Sequence, residues 1–144
     1  MAAVEKIWIK RFQKGPMDER DTADLTVGRG IVDCADQGGR HVTIIATGRW
    51  QELESQLGTE LDPSIRRANL LVSDIDLAES THRELTIGGC RLRVKGETRP
   101  CSAMEAAHPG LQEAMRANWG GGAHAEILEG GTIRIGDAVT WLDG

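Results

Sequence analysis

The chain has 144 residues, of which 40% are hydrophobic and 27% are charged, a composition typical of one folded domain and not of a disordered segment. Its formal net charge of −5 argues against general nucleic-acid binding, which needs a clustered excess of Lys and Arg. Residues 1–12 contain no signal-peptide core and no apolar run is long enough to cross a bilayer, so we expect a cytoplasmic protein without a membrane partner.

The first third of the chain predicts two strands separated by a long loop. Apolar residues alternate over residues 4–11, which predicts an opening strand that ends at Gly15-Pro16. Residues 17–39 are polar and contain several glycines, so we predict an ordered loop that carries only brief strands. The β-branched run at 41–46 predicts the second strand.

A helix follows that second strand. Apolar residues recur at helical spacing over residues 49–57, with Thr47 or Gly48 as the expected cap and Gly58 as the stop. After a short turn, the apolar run at 68–72 predicts a further strand.

The next segment predicts a hairpin that leads to a cysteine. Strands at 84–87 and 91–96 are joined by Gly88-Gly89, a dipeptide typical of tight hairpin turns. Pro100 cannot continue a central strand, and the residues that follow have helical spacing. Cys101 is therefore predicted to lie at a strand-to-helix junction.

The remaining residues predict helical turns and then strands. Helical spacing continues over 111–117, and short strands are expected at 123–128, 132–135 and 138–142. Many short strands with few helices indicate a mainly β fold with a few α-helices, and we predict a mixed β-barrel in a single domain over residues 1–144.

Cys101 is the first candidate for chemistry. A thiol at the first turn of a helix faces unpaired backbone N–H groups and the positive end of the helix dipole, and both favour the thiolate. Arg99 and Lys95 lie close in sequence. The alternative interpretation is a small residue that fills space at the junction, and the residue pattern alone leaves both open. Cys34 and Cys90 complete a set without disulfide or zinc spacing, which predicts reduced thiols.

A second candidate is the cluster at residues 66–69. Two guanidinium groups and an amide precede a strand there and can clamp a phosphate or another oxyanion, with Arg40 as a further candidate. The alternative is a solvated turn in which Asn69 bonds to local backbone. Four histidines are too scattered to predict a metal site: His41, His82, His108 and His124.

Read in order, these segments resemble the MOSC domain family, named for the C-terminal domain of molybdenum cofactor sulfurases. Two of the most specific pieces are RRANLLV at 66–72 and GETRPCSAM at 96–104. The other matching segments, in chain order, are 14–17, 28–33, 40–45, 75–77, 85–88, 121–122, 125–128 and 133–139. The chain is thus identified as a small, stand-alone member of that family.

The resemblance implies a MOSC-type β-barrel and a site for the molybdenum cofactor (molybdopterin). In members that hold this cofactor, the cysteine matched by Cys101 looks like the protein ligand of the metal. The arginine and asparagine matched by Arg67 and Asn69 help to hold the phosphate end of the pterin. Of the family's Gly-Asp pair, only the aspartate is present here, after Val32. The cofactor-binding residues expected from the resemblance are Asp33, Arg40, Arg67, Asn69 and Arg99.

Three functions follow as hypotheses. In the first, the Cys101 thiolate binds the molybdenum centre or carries sulfur for cofactor sulfuration, with a cysteine desulfurase or an electron-transfer protein as partner. In the second, the bound cofactor reduces N-hydroxylated compounds. In the third, the domain is a non-catalytic module that binds anions or a partner through exposed Trp119 or Trp141, and a homodimer is compatible with it. Pyridoxal phosphate is not expected on this chain, because the desulfurase domain of the sulfurases is not among its 144 residues.

Overall fold

The computed structural model describes residues 1–35 and 42–142. In this part of the chain, strands alternate with a few short helices. The strands are β1 (Val4–Lys10), β2 (Met17–Arg20), β3 (Thr22–Thr26), β4 (Gly30–Ile31), β5 (Val42–Ala46), β6 (Leu70–Val72), β7 (Glu84–Ile87), β8 (Cys90–Glu97), β9 (Ala123–Glu129), β10 (Gly131–Arg134) and β11 (Val139–Trp141). The α-helices are α1 (Thr47–Leu57), α2 (Ser102–Ala107) and α3 (Leu111–Ala114), and 3₁₀ turns lie at Pro63–Arg66 and Ala117–Trp119.

The described strands form two sheets. An eight-stranded sheet has the order β11-β7-β8-β9-β5-β6-β1-β2, and a three-stranded sheet has the order β10-β3-β4. All pairs are antiparallel except β5 and β6. A parallel pair needs a crossover connection, and here α1 lies within it, packing Trp50 and Leu53 against the sheet.

Two hydrophobic clusters stabilise this arrangement. The sheet core joins both sheets, with Leu25 and Ile133 from the smaller one and Leu92 and Ile127 from the larger one. The helix core packs α1, α2 and α3 against the opposite face of the large sheet. Because side chains alternate along a strand, Ile44 enters the sheet core while its neighbour Ile45 enters the helix core.

The mainly β fold with a few helices is confirmed, whereas a closed barrel is not found among residues 1–35 and 42–142. The large sheet ends at β11 and β2. Among the described residues, the β11 edge meets the start of the chain at an isolated bridge between Ala3 and Ala138, where the Val4 N–H donates to the Asp137 carbonyl at 3.0 Å and the Val139 N–H donates to the Ala2 carbonyl at 2.9 Å. Alternating apolar residues predict where strands lie and which of their faces is buried. They do not predict whether a sheet closes into a barrel, because closure depends on sheet twist and on which edge strands meet.

The brief strands expected within the loop at 17–39 are present in its described part, residues 17–35, as β2, β3 and β4. The pairing of β3 with β10, from the far end of the sequence, was not expected. The start of the first helix differs from the prediction. Neither Thr47 nor Gly48 caps α1, because the helix begins at Thr47 directly after Ala46, the last residue of β5. Gly58 does end α1, in the left-handed conformation expected of such a cap.

The helical segment predicted at 111–117 is shorter than expected, since α3 ends at Ala114 and positive φ angles at Asn118 and Trp119 interrupt the turn that follows. Trp119 and Trp141 are not exposed, contrary to the expectation of a tryptophan contact surface. Each is half-buried against the sheet core, and the Arg83 guanidinium lies 4.2 Å from the ring centroid of Trp141. Within the described ranges, no helix is long and apolar enough to span a membrane.

Candidate functional site

Cys101 lies in a cleft of about 300 Å³ where four segments of the chain meet. The end of β1, the middle of β5, the segment after the first 3₁₀ turn and the segment 98–104 form its walls, with Gly121 beside them. We call it the Cys101 cleft. Its lining residues are Lys10, Thr43, Arg66, Arg67, Ala68, Thr98, Cys101, Ala103, Met104 and Gly121.

The environment of Cys101 agrees with the predicted strand-to-helix junction. Cys101 is exposed and is the N-cap residue of α2, with extended backbone at φ −126° and ψ 178°. Its carbonyl accepts a hydrogen bond from the Met104 N–H at 2.9 Å, while its side chain makes no capping bond. Met104 is buried in the helix core and anchors the short helix. The thiol is thus presented to solvent from a fixed backbone.

Arg66 holds the segment that carries Cys101. It is 8% exposed, and its guanidinium donates from Nε to the Gly121 carbonyl at 2.8 Å and from Nη2 to the Thr98 carbonyl at 3.2 Å. A third donation reaches the Arg99 carbonyl at 3.5 Å. The planar fork of a guanidinium suits several acceptors at once. Arg66 therefore fastens the approach to Cys101 to the turn that precedes β9.

Gly121 allows this fastening. A Cβ at Gly121 would lie inside the van der Waals distance of the Thr98 carbonyl oxygen. The backbone of Thr98 and that of Gly121 are therefore in close contact, which a residue with a side chain at position 121 would prevent.

Arg67 is brought into the same cleft as Cys101. Its backbone has φ +61°, a left-handed conformation that is uncommon for residues other than glycine. The Nη2 group donates to the Gly15 carbonyl, which ties the turn after β1 to this side of the cleft. Arg67 and Cys101 thus share one site, and an anion-binding role for Arg67 stays a prediction.

Asn69 does not line the Cys101 cleft. It is 2% exposed, and its Oδ1 accepts from the Thr43 N–H at 3.0 Å and from the Thr43 hydroxyl at 3.1 Å. Its Nδ2 donates to the Trp8 carbonyl at 3.2 Å and approaches Cys34 Sγ at 3.7 Å. The amide therefore links β5 and β1 to the segment that precedes β6, and it positions Thr43, which does line the cleft. Direct contact between Asn69 and a cofactor stays a prediction.

The other predicted residues lie apart from Cys101. Arg99 is exposed and lines a separate cleft with Glu97, Pro100 and Arg116. Asp33, with φ +70°, lines another beside Cys34. Arg40 lies outside the described residues. Neighbours in sequence thus face different surfaces, because the loops that carry them reverse direction.

The Cys101 cleft is cationic in an acidic protein. Arg67 and Lys10 line it together with Arg66, and none of its described lining residues is a carboxylate. Positive groups in a concave, partly buried site concentrate the local field. Such a cleft favours an anionic ligand despite the net charge of −5.

Lys10, Thr43 and Thr98 were not identified from the sequence, and Arg66 was noted there only as part of its cluster. Lys10 ends an ordinary amphipathic strand and Thr43 lies within a β-branched run, so no sequence motif marks either residue as part of a binding site. Within the described ranges, no group of three or more His, Cys, Asp or Glu residues is placed to hold a metal ion.

Comparison with known proteins gives one family. The sequence model of the MOSC domain matches residues 23–140, and no curated protein matches the chain significantly. The crystal structure of the YuaD protein from Bacillus subtilis is similar at a TM-score of 0.79 and 20% identity, covering 96% of this chain and 94% of YuaD. YiiM from Geobacillus stearothermophilus is similar at a TM-score of 0.76 and 14% identity, covering 99% of this chain and 75% of YiiM. YiiM from Escherichia coli gives a TM-score of 0.73 and 11% identity, with 97% and 69% covered. At these identities, the structural likeness concerns the fold.

Proposed function

Because this chain belongs to the MOSC domain family, we propose that it binds the molybdenum cofactor in the Cys101 cleft, with the Cys101 thiolate as the protein ligand of the metal. One observation carries the proposal. An exposed thiol and the Arg67 guanidinium line one cleft, although they are far apart in sequence. A soft ligand for a metal and a cation for a phosphate are the two groups that such a cofactor needs.

The residues of the cleft fit this group. The thiolate is the form of cysteine that ligates metals, and Cys101 is exposed to receive one. Arg67 and Lys10 offer positive charge to a phosphate, and Met104 and Ala103 provide apolar surface beside Cys101. When bound, the cofactor supplies redox chemistry at the metal, and reduction of N-hydroxylated compounds is the activity that we propose for the loaded protein.

The chain's own contribution is to hold these groups in place. Arg66 fixes the backbone on the N-terminal side of Cys101 through the Thr98 and Arg99 carbonyls, and buried Met104 fixes the other side. A preorganised ligand loses little conformational entropy when it binds. In this proposal Arg67 orients the phosphate end, and Asn69 acts by holding Thr43.

Elemental analysis of the protein made in cells that assemble the molybdenum cofactor tests this proposal. We expect the wild-type protein to carry molybdenum and pterin together, and Cys101→Ser to lose the molybdenum, because the substitution removes the thiolate that ligates the metal in this proposal. Ser102→Ala, which changes an exposed neighbour of Cys101, should retain both. Equal molybdenum in wild type and Cys101→Ser would contradict the proposal.

A second candidate function is supported by the exposure of Cys101, since Cys34 and Cys90 are both buried. In this function Cys101 carries sulfur. Its thiolate attacks the outer sulfur of a persulfide on a cysteine desulfurase, the S–S bond of the donor breaks, and the donor leaves as a thiolate. Cys101 then holds the outer sulfur as its own persulfide, with no net change in electrons.

Intact-mass measurement after incubation with a cysteine desulfurase and cysteine tests this second function. We expect wild type to become heavier by one sulfur atom, which a reductant removes, and Cys101→Ser to remain unchanged. An adduct that persists in Cys101→Ser, or none in wild type, would exclude sulfur transfer through this residue.

A further inference from the structure

The backbone of Thr98 is held on both sides at the Cys101 cleft. Its N–H donates to the Gly122 carbonyl at 2.8 Å, and its carbonyl accepts from Arg66 Nη2 at 3.2 Å. Gly121 packs so closely on that carbonyl that even a Cβ would not fit. Thr98 therefore cannot shift without disturbing Arg66 and the turn at 120–122.

The side chain of Thr98 is held less completely than its backbone. Thr98 is 5% exposed and lines the Cys101 cleft, yet no described protein group hydrogen-bonds to its hydroxyl. A buried hydroxyl without a partner destabilises the fold, because it gives up its hydrogen bonds to water and gains none in exchange. The neighbouring hydroxyl of Thr43 differs, because it donates to Asn69 Oδ1.

We infer that Thr98 is a ligand-binding residue of the Cys101 cleft and donates a hydrogen bond from its hydroxyl to an oxyanion bound beside Cys101. The inference rests on the proposed function in taking this cleft as the site. The Thr98 oxygen is shielded from solvent, so contact requires a change of side-chain rotamer that turns the hydroxyl toward the cleft. Arg67 and Lys10 supply charge to the same ligand.

The oxyanion can belong to a phosphate ester or to an oxo group on a metal, and both accept hydrogen bonds from a hydroxyl. Titration calorimetry with inorganic phosphate and with molybdate distinguishes the two. Thr98→Val keeps the shape of the side chain and removes the hydroxyl, whereas Thr98→Ser keeps the hydroxyl. We expect Thr98→Val to weaken binding of at least one anion about tenfold, which corresponds to about 1.4 kcal/mol, and Thr98→Ser to retain it, because only the valine variant loses the hydrogen bond to a charged group.

Thr47→Val is the matched control. Thr47 also has a buried hydroxyl without a partner among the described protein groups, but it lies at the start of α1 and does not line the Cys101 cleft. Both valine variants should melt at or above the wild-type temperature, because each removes an unsatisfied hydroxyl. Only Thr98→Val should lose affinity for the anion.

Unchanged affinity of Thr98→Val for both anions, or no binding of either anion by wild type, would overturn the inference. Anion binding that depends on Thr98 in a protein that never acquires molybdenum would retain this inference and exclude the proposed function. If the protein acquires molybdenum only when Cys101 is present, but its affinity for both anions does not depend on Thr98, the proposed function would stand and this inference would be excluded.

Discussion

Strand β8 leads from one cysteine to another, and the two ends of the strand are opposite environments. Cys90 is its first residue and is fully buried in the sheet core. Burial raises the pKa of the Cys90 thiol, and the nearby Asp137 carboxylate adds to this increase. Cys101 follows the other end of the strand and is exposed. Cysteine is thus a packing residue at one end of the strand and a candidate metal ligand at the other.

The two ends of β8 differ because they pack against different parts of the structure. The Cys90 end continues from a hairpin whose partner β7 is paired along its whole length. The pairing of β8 with β9 shifts register near both ends, between Arg91 and Leu92 and between Val94 and Gly96, but the pairing with β7 covers the Cys90 end and stops at Arg93. Arg66 then holds the segment that follows. Reactivity along β8 is therefore decided by its surroundings and not by the type of residue.

Thiol labelling tests this contrast most directly and has the largest expected effect. Under native conditions, we expect iodoacetamide to modify Cys101 at least about a thousandfold faster than Cys90, because a buried thiol reacts only after an opening that costs about 4 kcal/mol or more. Peptide mass spectrometry over a time course measures both rates in one sample. Urea should make all three cysteines reactive, which serves as the control. Similar native rates at Cys90 and Cys101 would contradict the contrast.

The second-largest expected effect is a loss of stability when Arg66 no longer holds the segment before Cys101. We expect Arg66→Met to lower the free energy of unfolding by about 2–4 kcal/mol, because it leaves buried carbonyl acceptors without their charged donor. Urea denaturation measures the loss. Amide exchange should accelerate more at residues 98–101 than at the start of β8.

Arg99→Ala is the matched control for that change. Arg99 lies in the same segment, but its side chain is exposed and lines a different cleft. Its removal should alter stability by no more than about 0.5 kcal/mol, as is usual for surface positions. Equal losses in the two variants would show that Arg66 does not hold this segment specifically.

The smallest effect is a pH dependence at the Cys90 end. The pKa of Cys90 is raised above its ordinary value near 9.0 in the folded state, so the unfolded chain loses this proton at a lower pH than the folded protein does. Stability from the neutral thiol is therefore fully present below the unfolded pKa and is lost as pH rises toward the folded pKa.

Urea denaturation of wild type and Cys90→Ala from pH 7 to pH 10 measures this term. The advantage of wild type over Cys90→Ala should shrink above about pH 8.5, by at most about 1.4 kcal/mol per pH unit. Ile87→Val, which alters the same hairpin without removing an ionisable group, should show a difference from wild type that does not change with pH. A constant difference for Cys90→Ala would contradict the raised pKa.

Local patterns predicted those parts of the fold that depend on neighbouring residues. The hairpin at Gly88-Gly89 and the helix stop at Gly58 were both confirmed, because turn geometry and helix ends are set within a few residues. The pairing of β3 with β10 was not predicted, since its partners come from opposite ends of the chain. Separation in sequence also hid the contact between Arg66 and Gly121, which lie 55 residues apart.

The sequence by itself determined the mainly β class, the position of Cys101 at a strand-to-helix junction and, through the order of its motifs, the resemblance to the MOSC domain. These depend on residue type and spacing. Only the tertiary structure decided that Arg67 shares a cleft with Cys101, that Asn69 is buried behind Thr43 and that Arg99 faces elsewhere. The reason is that a side chain's surroundings depend on long-range packing and on the direction of each loop, which no local pattern contains.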